Sequence, residues 1–263
     1  MAASLPALYL PHGGGPSFFM GGERKRRYQA TEDFLRGVLA TLPVRPRALL
    51  VATAHWETEV PTFTGGERPE LIYDYYNFPP ETYELRYDAP GEPALARRAA
   101  DLLRAAGLPS TVDAEYGWDH GVFIPLKVMA PEADIPVVAM SLVAGLDPGL
   151  HCRVGAALRA LREEGVLIVG AGMSYHNLRD FAAAAPASHA FHDWLDFALA
   201  GTWNERAERL AQWSSAPGGR ASHPREEHLL PLMIASGAGT DAPGRRIWRG
   251  AVGPSALGAW AFD

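Results

Sequence analysis

Four short apolar runs rich in β-forming residues, Ala7–Leu10, Ala48–Ala54, Val137–Leu142 and Val166–Val169, alternate along this chain with stretches whose apolar residues return at helical spacing. That alternation predicts an α/β fold, with helices packed on the faces of a central mixed, largely parallel sheet. Three stripes mark helices: Leu95, Ala99, Leu102, Leu103 and Ala106, ended by Gly107 and Pro109; Val154, Ala157, Leu158 and Leu161, ended by Gly165; and Phe191, Trp194, Leu195, Ala198 and Leu199. A shorter stripe, Phe34, Val38 and Leu42, follows Thr31, a residue suited to capping a helix. Arg245–Arg249 and Ala259–Phe262 read as further strands that close an edge. No low-complexity linker divides the 263 residues, so 1–263 reads as one domain. The stretch from Thr58 to Pro93, dense in Pro, Tyr and acids around Tyr73–Pro80, reads as a long loop that is functional or mobile. Ala182–Ala185 and Ser214–Gly219 read as surface turns.

A net charge of −6 gives no field that would draw in a phosphate backbone, so nucleic acid is not an expected partner. The basic run Arg24-Lys25-Arg26-Arg27 reads as a solvated face. Cys152, the single cysteine, can build neither an internal disulfide nor a thiolate metal site. A metal must therefore use His, Asp or Glu, and a reducing compartment, the cytoplasm, is expected. No apolar stretch approaches the roughly 18 residues of a membrane span, and Leu5–Leu10 lacks a basic leader and is too short for a secretory core. Nothing here specifies an oligomeric state.

The nine histidines matter by position, not number. Catalytic and ligand-binding groups of open α/β sheets gather at the carboxyl ends of strands, because helices cover both faces. His12 follows Ala7–Leu10, His55 follows Ala48–Ala54, and His176 follows Val166–Val169 after an expected turn at Gly170-Ala171-Gly172. Three such ends can converge. Gly13-Gly14-Gly15-Pro16 beside His12 lets the chain turn sharply, and it matches no phosphate-loop pattern. In His223–Leu232, Pro224 and Glu226-Glu227 suit a helix start capped by His223. Pro231 lacks the N–H that would bond Glu227, which bends that turn and aims His228; Glu227 suits a carboxylate ligand or a partner for a metal-bound imidazole. Asp119 can cap a helix and Trp118 can form a flat wall, so Tyr116–Gly121 can hold His120 at a pocket rim. Tyr73–Phe78, Trp118 and Tyr175 suit either an aromatic pocket or core packing, while His151, His189 and His192 read as residues of helix surfaces or starts outside the site.

In order, Pro11-His12-Gly13-Gly14-Gly15-Pro16, Ala54-His55-Trp56, Trp118-Asp119-His120-Gly121, His176-Asn177-Leu178 and Glu227-His228-Leu229-Leu230-Pro231-Leu232 resemble the class III extradiol ring-cleavage dioxygenases of the LigB superfamily, in the 4,5-DOPA dioxygenase-like branch. The resemblance spans essentially the whole chain. It implies that His12, His55 and His228 bind a divalent metal, that His176 is the acid/base facing the substrate, and that His120 orients substrate or oxygen. It further implies Fe(II), a catechol and O2. Three imidazoles also suit Zn(II), with His176 near enough to become a fourth ligand. Two other readings stay open: a Zn-dependent hydrolase using the same histidines, and a non-catalytic binding protein of the same fold.

Overall fold

Eight strands form one sheet in the computed structural model, which describes residues 4–179 and 185–263. They are β1 (Ala7–Pro11), β2 (Ala48–Thr58), β3 (Thr62–Thr64), β4 (Thr111–Asp113), β5 (Val137–Val143), β6 (Val166–Gly172), β7 (Arg245–Val252) and β8 (Ser255–Phe262), in the order β4-β3-β5-β2-β6-β1-β8-β7. The central strands β5, β2, β6 and β1 run parallel. β8 and β7 add antiparallel on one side, and β3 pairs antiparallel with β5 on the other. The sheet is thus mixed with a parallel centre, as the alternation predicts.

The helices are α1 (Gly22–Gly37), α2 (Pro93–Ala105), α3 (His120–Met129), α4 (Pro148–Leu158), α5 (Ala185–Leu199), α6 (Trp203–Ala211), α7 (Gly219–Ser222) and α8 (Leu230–Ala238). Successive strand residues point to opposite faces. Leu50, Ala52, Val138, Met140 and Ile168 therefore pack beneath α2, α4, α5, α6 and α8, while Leu49, Val51, Val137, Ala139 and Leu167 pack beneath α1 and α3. With both faces covered, only strand ends remain free for chemistry.

Several expectations are corrected. Thr31 lies buried inside α1, which starts nine residues earlier without a side-chain cap; its long polar surface hides the start from any apolar stripe. β3 and β4, three residues each, are too short to show a period. α6 carries few apolar residues, yet its capping box, Thr202 with Glu205, is visible in the sequence. Thr58–Pro93 is largely irregular, as expected of a long loop, but it also contains β3 and a 3-10 turn at Pro80–Glu84 and is pinned by bridges from Leu71 to Trp118 and from Gly91 to Val137. The expected turn at Ala182–Ala185 lies outside the described residues as far as 184, and Ala185 opens α5. No helix among the described residues is long and apolar enough to cross a membrane.

Candidate metal centre and active site

β2, β6 and β1 are neighbours, so their carboxyl ends lie side by side. His12 leaves β1 directly, its N–H donating to the Gly172 carbonyl at 3.1 Å. His55 does not follow a strand; it lies inside β2, where the pairing with β6 has ended at Thr53 and the register with β5 slips between Ala52 and Glu57. That irregularity releases His55 from the regular ladder. Gly170-Ala171-Gly172 is likewise no turn but the end of β6. The glycines serve a close approach: a Cβ at Gly170 would strike the Pro231 carbonyl, and one at Gly172 the His228 carbonyl. The segment carrying His228 therefore lies directly on the strand. Its carbonyl accepts from the Tyr9 hydroxyl at 2.8 Å and from Met173 N–H at 3.1 Å.

No helix starts at His223. That residue ends α7, is fully buried, and bonds the Ser174 carbonyl through Nε2 at 3.1 Å. Pro231 sits in the first turn of α8, where its missing N–H costs nothing, so it opens a helix instead of bending one. Asp119 caps α3 as expected, accepting from Gly121 N–H at 2.9 Å, and Thr53 donates to the same oxygen at 2.7 Å. This ties the start of α3, and with it His120, to the β2 segment that carries His55.

All five candidate histidines line one cavity of about 730 Å³. The ring centroids of His12, His55 and His228 stand 4.9, 5.1 and 4.9 Å apart, and the Nε2 atoms of His12 and His55 approach to 3.4 Å. His120 lies 3.9 Å from His55 and 5.4 Å from His12, while His176 stacks on His228 at 3.3 Å. Two separate groups of potential metal ligands stand here among the described residues, His12, His55 and His120 in one and His176, Glu227 and His228 in the other. Trp118 is not a wall of this cavity. It is fully buried against Tyr87, whereas Tyr75, Tyr76, Phe78 and Tyr175 do line the site. A second concavity of about 810 Å³, beside Arg68, Tyr73 and Arg86, holds no histidine.

Carboxylates hold the rings. Nδ1 of His228 donates to Glu227 at 2.9 Å, and His176 Nδ1 lies 3.5 Å from the same oxygen. Arg225 forks onto Glu57 at 2.6 and 2.7 Å and reaches Glu227 at 3.5 Å, which steadies that carboxylate. Asp74, which the sequence reading passed over, accepts from both the backbone N–H and Nδ1 of His120 at 2.9 Å, and its other oxygen lies 3.4 Å from His55 Nδ1. An acid among tyrosines in a long segment was the available signal, and nothing local distinguished it from its neighbours.

Burial drives the titration of these rings. It pushes His12 and His228 well below the usual imidazole range, and the neighbouring histidines push the same way. His55 falls to about 3, mainly through burial and then His120, against an upward pull from Asp74. Burial raises Asp74, but its hydrogen bonds to His120 and the nearby imidazoles outweigh this and hold it below the carboxylate norm. Neutral imidazoles beside ionised carboxylates are the protonation states that metal binding needs. Nε2 of His228 is buried and has no hydrogen-bond partner. A bare, neutral, carboxylate-oriented nitrogen inside a ring of histidines fits a divalent cation. The site is a metal site.

Residues 6–260 match the family model described as the catalytic LigB subunit of aromatic ring-opening dioxygenase. The chain belongs to the LigB family. Within it, the chain is 43% identical over 251 residues to dioxygenase tasH of Hapsidospora irregularis, covering 89% of this chain and 78% of that protein. It is 43% identical over 202 residues to the 4,5-DOPA dioxygenase extradiol of Portulaca grandiflora, covering 75% and 74%, and 36% identical over 242 residues to that of Escherichia coli K12, covering 89% and 85%. The crystal structure of an uncharacterized protein from Escherichia coli K12 superposes with a TM-score of 0.79 at 31% identity, covering 98% of this chain and all of that one. This LigB-family chain is an extradiol ring-cleavage dioxygenase of the 4,5-DOPA dioxygenase-like branch, which sets aside the hydrolase and the non-catalytic reading.

Proposed function

We propose that this LigB-family enzyme uses Fe(II), held by His12, His55 and His228, to cleave the ring of a DOPA-like catechol with O2. The carrying observation is the near-equilateral triangle of those three rings, 4.9–5.1 Å on a side. Imidazoles bonded to one cation at about 2.0–2.1 Å place their centroids roughly 5 Å apart. His120 in place of His228 gives sides of 4.9, 3.9 and 5.4 Å, a poorer fit. When bound, the iron gives the catechol oxygens a point of chelation and supplies the redox activity that Zn(II) lacks.

The remaining work belongs to side chains. Chelation requires a catechol hydroxyl to lose its proton near neutral pH, and imidazole is the side chain suited to accept it. His176 lines the cavity with Nδ1 turned toward Glu227, so its ring is oriented for that transfer. His120, anchored by Asp74, assists from the facing wall. Tyr75, Phe78 and Tyr175 give the aromatic ring an apolar enclosure. The relatives named for 4,5-DOPA support a dihydroxyphenyl substrate.

The test is anaerobic loading with Fe(II), metal analysis, and O2 uptake with DOPA, caffeate and protocatechuate. Consumption of O2 with a yellow ring-opened product is expected. Turnover that persists without O2, or no turnover of any catechol, overturns the reading. His176→Ala should retain metal and lose about 10²–10⁴-fold in turnover, the usual contribution of a positioned acid/base.

A further inference from the structure

We infer that His223, a buried ring outside the lining of the histidine cavity, is a positioning residue for the acid/base: its one N–H, given to the Ser174 carbonyl, fixes where His176 stands. The inference rests on the acid/base role given to His176 above, and it adds what holds that ring in place.

His176 lies four residues beyond β6 on no regular element, so no sheet ladder fixes it. A zipper between residues 173–177 and the chain from Ala221 to His228 takes the ladder's place. His176 N–H donates to the Ser222 carbonyl at 2.9 Å, the Asn177 side-chain amide to the Ala221 carbonyl at 2.8 Å, and Met173 N–H to the His228 carbonyl at 3.1 Å. His223 Nε2 gives the bond that runs the other way, to the Ser174 carbonyl at 3.1 Å. Because the zipper also reaches His228, it sets the His176 and His228 rings against each other, stacked at 3.3 Å and 14°.

A carbonyl only accepts, so Nε2 of His223 carries the proton. Nδ1 is buried without a partner, and a second proton there would be stranded. Burial accordingly keeps the ring neutral, pushed down to about 3 from an ordinary 6.5. Phe191 and Trp213 pack edge-on against it, at centroid distances of 5.5 and 6.0 Å. Phenylalanine would satisfy that packing. The side chain gives nothing to α7, whose last turn is closed by the His223 backbone N–H on the Gly219 carbonyl at 2.9 Å. What histidine adds is the N–H, and it is aimed two residues before His176. Ser174 is held from its far side as well, its hydroxyl accepting from Gly258 N–H and donating to His192 Nε2, both at 2.9 Å. Ser174 is thus the fixed point from which His176 is suspended.

His223→Phe keeps the ring and loses the N–H, whereas His223→Gln places an amide N–H near the position of Nε2. Hydrogen exchange of the metal-free protein needs no turnover. Amides of residues 173–177 should exchange about 10-fold faster in His223→Phe and near the wild-type rate in His223→Gln. In iron-loaded protein with DOPA and O2, His223→Phe should lose about 10- to 100-fold in kcat, with KM and metal content little changed, and His223→Gln should recover most of the loss. On a His176→Ala background, His223→Phe should cost little more, since the ring it positions is gone. His223→Asn, with a shorter amide, takes the place of His223→Phe if that variant does not fold. Unchanged exchange in His223→Phe overturns the inference, as does full kcat in that variant, an equal loss in His223→Gln, or a loss that multiplies with that of His176→Ala. Faster exchange that His223→Gln restores, in a wild type that turns over no catechol, upholds the hold on the His176 segment and overturns the catechol reading.

Discussion

His151 and His192 are as deeply buried as His12 and His228, yet the two pairs are wired differently. His151 uses both nitrogens within the fold, Nε2 accepting from Val143 N–H at 3.0 Å and Nδ1 donating to the Asp147 carbonyl at 2.7 Å. His192 does the same with the Ser188 carbonyl and the Ser174 hydroxyl, at 2.7 and 2.9 Å. His228 gives one nitrogen to a carboxylate and keeps the other bare, and His12 Nε2 meets nothing closer than another histidine at 3.4 Å. A ring satisfied on both sides is a strut, since a buried polar atom without a partner is costly. A ring left half-satisfied in a polar cavity is made for something the protein binds. Sequence reading placed His151 and His192 on helix surfaces or starts; both are core residues, because their rings bond backbone and side chains that only the fold brings near.

The largest effect that could break this comparison is on metal content. His12→Ala or His228→Ala should leave the purified protein with almost no bound metal and background turnover, while His151→Ala should keep its metal. Elemental analysis decides, and normal occupancy in either of the first two variants would dissolve the distinction. His151→Ala should instead cost about 1–3 kcal/mol in denaturant unfolding, because Val143 N–H loses its acceptor.

A smaller effect tests the carboxylates that turn these rings. Asp74→Asn removes the charge shared by His55 and His120 and should lower metal affinity or turnover by about 10- to 100-fold. Equal values for variant and wild type in a metal-competition titration would make Asp74 a bystander.

The smallest effect concerns pH. Burial lowers His192 to about 4 from an ordinary 6.5, so the folded ring stays neutral while the unfolded chain gains a proton below about pH 6.5. The unfolded state then binds more protons, and stability must fall as pH drops from about 6.5 toward 4. From pH 7 to 5.5 this one residue accounts for about 1 kcal/mol. His192→Gln should flatten that part of the stability profile, and an unchanged slope would mean that other groups carry it.

Alternating apolar runs were enough to read the α/β sheet, because that signal is local and periodic; strand-end placement singled out His12, His55 and His176, while His120 and His228 were read from a helix start and a proline, and the roles of all five from the resemblance to a known family. What tertiary structure decided lies across the chain. It set the register slip in β2 around His55, the contact of Gly170 and Gly172 with the backbone before α8, the grip of Asp74 on His55 and His120, and the turn of Arg24 and Arg27 toward the cavity. Each depends on segments tens of residues apart meeting at one strand edge, and no local pattern encodes such a meeting.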